Sequence, residues 1–244
     1  MPKAAPLAAT SRLTIQQTNM TTNRQRLFLF IAVGVLAVGF LIVSPPARSS
    51  DFPVHDVDYM TELENEVMRE QNLARTDPQL YATFVEEWYQ YYRGRRRTLP
   101  NQLPVLTTEG KPALKEAIEY LQNIKPLPPL RPAEGLSLAA RDHVRDTGGM
   151  GWLGHLGSDD SEPGDRVSRY GTWIRRVGEN ITYGGDTARE FVIRLIVDDG
   201  IPDRGHRENL FNPAFGVAGV SFGWHREYRT MCVITYAGDF DPDS

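Results

Sequence analysis

The longest unbroken apolar stretch, Leu27 to Val43, differs in kind from every hydrophobic pattern that follows it. It follows Arg24 and Arg26 and ends at Ser44-Pro45-Pro46-Ala47. As a helix rising about 1.5 Å per residue it would reach roughly 25 Å, short for a membrane span and long for the apolar part of an export signal. Its basic flank would hold the N-terminal side in the cytoplasm and send the rest across. Met20, read as the start, would give a more ordinary signal peptide. Pro45-Pro46-Ala47 is a poor A-x-A cleavage site, which favours an uncleaved anchor. Both outcomes place the remainder outside the cytoplasm. The expected organisation is a basic segment (1–26), a signal-anchor or signal-peptide segment (27–43), a Pro-, Ser- and Asp-rich linker (44–57) and one domain (58–241).

Beyond the linker the apolar positions recur at helical spacing. Thr61-x-x-Glu64 predicts a capping box ahead of a helix burying Met60, Leu63, Val67 and Ala74. Asp77-Pro78 ends that helix and starts a second, with Leu80, Tyr81, Phe84, Val85 and Trp88 as its stripe. Arg93 to Lys111 reads as a loop, its Arg-rich run 93–97 as solvated. Pro112 to Ile124 is a third helix, and the proline-rich stretch 125–132 must be extended. Leu136 to Thr147 is a fourth helix, with His143 as a hydrogen-bonded packing residue on its inner face. Arg189 to Val197 is a fifth. Val217 to Phe222 and Met231 to Ala237 alternate as strands around a loop at Trp224-His225. Helices early and a hairpin late predict an α+β fold.

Charge sharpens this picture. The net charge of −4 is split, because the first 50 residues carry five basic side chains and no acid. The acidic remainder argues against nucleic acid as a partner. With a single cysteine, Cys232, no intrachain disulfide can form, and its apolar surroundings predict a buried, inert thiol.

The candidate chemistry lies in Gly-rich turns between regular segments: Gly154-His155, Gly178-Glu179-Asn180-Ile181 and Gly205-His206-Arg207-Glu208-Asn209-Leu210. Glycine beside a histidine or glutamate permits positive φ and leaves room for another group to approach. Together with Leu138-Ala139-Ala140-Arg141-Asp142-His143 and the terminal Cys232 to Ala237 run, these stretches, in this order, make the chain from about Tyr59 to Phe240 resemble the CAP superfamily (SCP domain), in a bacterial form without disulfides. The resemblance implies a three-layer α-β-α sandwich with a cavity lined by two histidines and two acids. These carry over as His155, Glu179 and His206, with Asp198 in the fourth place and Asp199 as the alternative register.

Two neutral imidazoles and a carboxylate are the minimum donor set for Zn²⁺ or another divalent cation, so His155, His206 and Glu179 are the expected metal residues. Glu179 orienting a histidine instead of ligating, or a purely structural polar cluster, are the alternatives. Relatives in the superfamily bind sterols and other lipids. The resemblance therefore implies an exported binding module for a lipid, glycan or protein ligand, and the apolar run 27–43 adds N-terminal membrane association. A metal-assisted hydrolase with Glu179 as base is the competing expectation. No HExxH pairing or evident oxyanion hole supports an enzyme. The acidic loop 157–165 lacks the ligand order of an EF-hand and reads as a capped turn. Arg204 and Arg207 are expected to pair with Asp198, Asp199 or Glu208, or to receive an anionic group at the cavity mouth.

Overall fold

The computed structural model describes residues 56–242, so the expected basic segment, the apolar run 27–43 and most of the linker lie outside the described residues. The first helix, α1 (Glu62–Thr76), begins with the expected capping box: Glu64 N–H donates to Thr61 Oγ1, and Thr61 N–H donates to Glu64 Oε2 at 2.7 Å. Asp77 caps α2 (Pro78–Trp88) by accepting from Leu80 N–H. The helices α3 (Lys111–Asn123), α4 (Glu134–Thr147) and α6 (Ala188–Val197) fall within two residues of the positions that periodicity predicts. Two short helices, α5 (Pro163–Val167) and α7 (Gly205–Leu210), carry no such signal.

Residues 93–111 are not the loop that the sequence predicts. They contain β1 (Tyr92–Arg93), β2 (Arg96–Arg97) and β3 (Val105–Leu106), paired antiparallel in that order. The main sheet has four strands in the order β4 (Arg131–Pro132), β6 (Val217–His225), β7 (Arg229–Asp241) and β5 (Thr172–Tyr183). Only the β4–β6 pair is parallel. The fold is therefore a mixed α+β arrangement.

Strand β7 shows how the helices are placed. Cys232, Ile234 and Tyr236 join the large core with α1, α3 and α6, whereas Met231, Val233 and Ala237 pack with residues of α4. Successive strand residues face opposite ways, so this alternation puts helices on both faces of the sheet. Gly219 lets α4 lie close to β6: a Cβ there would sit 2.1 Å from Ser137 N. Cys232 is fully buried and unbonded, and burial pushes its thiol far above the ordinary range, as expected of an inert core residue.

Candidate functional site

Each candidate histidine is held by its own carboxylate. His206 opens α7, and the turn before it uses positive φ at two non-glycine residues, Asp198 (+52°) and Arg204 (+54°). That turn folds Asp198 back onto His206. One carboxylate oxygen accepts the His206 backbone N–H at 2.9 Å, and the other meets the imidazole Nδ1 at 2.6 Å. His155 follows Gly154, which stands at φ +96°, and its Nδ1 lies 2.9 Å from Glu179 Oε1. A carboxylate facing Nδ1 selects the Nδ1–H tautomer, which leaves Nε2 of each ring as the remaining donor.

The environments of the two pairs differ. The Asp198 and Glu179 side chains are buried, whereas His155 is 49% exposed and His206 24%. Glu179 also accepts from Arg166 Nη2, at 2.9 Å on one oxygen and 3.1 Å on the other. Arg166 comes from α5 and is itself buried. With one oxygen shared by His155 and both taken by Arg166, Glu179 is committed to orienting.

Strand β5 links the pairs. Glu179 reaches His155, and its neighbour Asn180, on the opposite face, donates to the His206 carbonyl at 2.8 Å. A cavity of about 330 Å³ opens beside them, walled by Asp198 and His206 together with Trp88, Val105, Tyr183 and others. His155 and Glu179 are not among its walls. The loop carrying His155 still adjoins the cavity: Gly154 N–H donates to the hydroxyl of the wall residue Tyr183 at 2.9 Å. The same loop is pinned by two buried histidines, His143 Nε2 at 2.9 Å from Gly154 O and His225 Nε2 at 3.1 Å from Trp152 O. Burial holds the pKa of His143 below its ordinary value, so it packs as the neutral ring expected of it.

Other expectations resolve locally. Asp199 takes no part at His206; its carboxylate accepts the backbone N–H groups of Thr108, Glu109 and Gly110. It thus ties down the turn that leads into α3, whose first helical residue follows Gly110. Arg204 pairs with Glu109, and Arg207 with Glu116, instead of with Asp198, Asp199 or Glu208. The Arg204 hydrogen bonds hold the Glu109 carboxyl down at about 2. In the acidic loop, Asp146 accepts from both the backbone N–H and the hydroxyl of Ser158, and Asp159 pairs with Arg169. That is a capped turn, and it withholds Ser158 from His155. Among the described residues, no three His, Cys, Asp or Glu side chains gather closely enough to enclose a metal ion. Glu179 meets the His155 ring, and the His206 ring meets Asp198.

Comparison with known proteins follows the same residues. The chain is 31% identical over 96 residues to an uncharacterized protein of Bacillus subtilis, YkwD, a match covering 39% of this chain and 35% of that protein. The chain thus spans about a third of the length of that relative. Among solved structures it is similar to an extracellular SCP-domain protein of Bacillus anthracis, at 21% identity and TM-score 0.38, covering 46% of this chain and 34% of that one. It is also similar to an outer surface protein of Borrelia burgdorferi, at 18% identity and TM-score 0.40, covering 52% and 92%. The sequence profile of the CAP, or cysteine-rich secretory protein, family matches residues 115–236, half of the chain, with Glu179, Asp198 and both candidate histidines inside the match. The chain belongs to the CAP family.

Proposed function

We propose that this protein is an exported binding module of three-layer α-β-α form, whose ligand seats in the cavity beside His206. The observation that carries this reading is the pairing of two imidazoles with buried carboxylates at Nδ1, one pair of which, His206 with Asp198, lies on the wall of a cavity that a small ligand could enter. A volume of about 330 Å³ lies at the low end of small-molecule sites, which span roughly 300–1,000 Å³. Export rests on the apolar run 27–43 and its basic flank, with the domain tethered at the membrane or released after cleavage.

A divalent cation fits this site only in a restricted way. The donors left over are Nε2 of His155 and Nε2 of His206, with Glu179 and Asp198 orienting the rings from behind. Two imidazoles completed by water would hold Zn²⁺ more loosely than three protein ligands do, and the ion would supply a Lewis-acid contact for a ligand oxygen. A hydrolase with Glu179 as base fits poorly, because that carboxylate is buried and shared between Arg166 and His155.

Calorimetric titration of the full chain with Zn²⁺, repeated on His206→Ala, tests the metal part of the reading. Heat from the wild type that disappears in the variant supports it. Equal heat from both proteins, or none from the wild type, removes the metal and leaves the cavity as a ligand site without one.

A further inference from the structure

The cavity has a cationic wall that the histidine–carboxylate pairs do not account for. Arg97 on β2 lines it and is 7% exposed, with its guanidinium 5.5 Å from the Trp88 ring. The carboxylate it faces, Glu190 on α6, stands at 3.8 Å, too far for a direct hydrogen bond. Glu190 is also the carboxylate near Arg194, at 3.9 Å, so one acid is divided between two guanidinium groups. Arg194 satisfies its donors on the carbonyls of Tyr183 and Gly184, at 2.6 Å each. Arg97 instead meets the hydroxyl of Tyr92, another residue of the cavity wall. The other acids of the wall are engaged, Asp198 by His206 and Asp199 by the three backbone N–H groups ahead of α3.

A nearly buried guanidinium fits a planar two-oxygen acceptor better than any other group, and leaving its donors unmatched is costly. Around it the cavity mouth is apolar and open: Val105, Leu106, Ile201 and Tyr228 all line it, and all are exposed. An exposed apolar rim around a buried cation fits one kind of molecule, an anion with a greasy body. Arg97 and the β3 residues lie outside residues 115–236, the stretch that matches the family profile. This wall is therefore built by the chain's own three-stranded sheet.

Resting on the reading of this cavity as the ligand site, we propose that it takes a carboxylate carried on an apolar body, with the carboxylate on Arg97 and the body against Val105, Leu106, Ile201 and Tyr228. Such a group could come from a small organic acid or from the C-terminus of a peptide.

The test is calorimetric titration of the full chain in buffer containing EDTA, which removes any metal-bound route for the acid. The probes are 4-phenylbutyrate and its amide, and N-acetyl-Leu-Phe with a free or an amidated C-terminus. At least one free acid is expected to bind tenfold or more tighter than its amide, and the better of the two acids identifies the source. Arg97→Met should remove that preference, bringing the acid-to-amide ratio close to one, and Arg97→Lys should restore part of it. If Arg97→Met does not fold, the acid-to-amide ratio of the wild type decides. Equal binding of acids and amides overturns the carboxylate assignment and leaves the cavity reading standing. No binding by any probe overturns both.

Discussion

Arg166 and Glu179 form an ion pair with both side chains almost wholly buried, 2% and 1% exposed. The pair lies directly behind His155 and ties α5 to β5. Arg166 also donates to the Ser161 carbonyl at 2.7 Å, so one guanidinium supports both the acidic turn and the candidate site. Removing one partner of a buried pair leaves an uncompensated charge in a low-dielectric interior, typically at a cost of about 3–5 kcal/mol. Arg166→Met should therefore destabilise the domain by about that amount in urea unfolding. Glu179→Gln keeps a polar group in place and should cost less. Equal and small losses from both would mean that the pair is solvated.

His143 makes stability depend on pH in a defined direction. Its pKa is lowered in the folded state by burial, so the unfolded chain binds more protons just below the ordinary histidine value of about 6.5. Its contribution is complete above that value. As pH falls below it, stability declines until the folded-state pKa is reached and then levels off. His143→Gln, which retains a donor for the Gly154 carbonyl, should flatten this part of the pH profile measured by chemical denaturation.

Asp198 and Asp199 are adjacent but serve different ends of the structure. Asp199→Ala removes the shared acceptor of three backbone N–H groups in the turn ahead of α3. It should cost about 1–3 kcal/mol, the range for losing hydrogen bonds to a charged acceptor, without altering the imidazole resonances of His206. Asp198→Asn should do the reverse, leaving α3 intact and shifting the His206 ring nitrogens. Thermal unfolding and NMR of the two variants separate the roles.

Cys232 should not react with a disulfide-exchange reagent in the native protein and should react fully once the protein is unfolded. Its side chain is fully buried in the core shared by the sheet with α1 and α6. A native-state reaction rate near that of a free thiol would contradict this burial.

How much of this was legible in the sequence depends on where each signal resides. The long helices were readable because Val67, Ala74, Tyr81, Val85, Leu114, Ala117 and Leu121 repeat at helical spacing and are all buried. Strand β5 was not, since Arg175, Arg176, Gly178, Glu179 and Asn180 interrupt the alternation that marks a strand. It lies at the sheet edge and serves the site, so polar residues occupy positions that packing would otherwise fill. The Arg-rich run 93–97 read as solvated because charge alone does not reveal that Arg97 turns inward beside Trp88 and Glu190. The family resemblance ranks Asp198 ahead of Asp199 for the fourth place, but only the left-handed backbone at 198 shows how that carboxylate reaches His206. The two histidines were evident from their glycine-flanked motifs, but the burial of Glu179 by Arg166 depends on α5, a five-residue helix without periodicity.

The account depends most on the orientation of two rings. Long-range ¹H–¹⁵N correlation spectra of the full chain, recorded before and after addition of Zn²⁺, report the tautomer and the ligation of each imidazole directly. The geometry predicts Nδ1–H tautomers at both His155 and His206, and the proposed two-imidazole site predicts that the Nε2 signals of both shift together as Zn²⁺ is added. An Nε2–H tautomer at either ring, or a Zn²⁺ response confined to one of them, would contradict a site built from both.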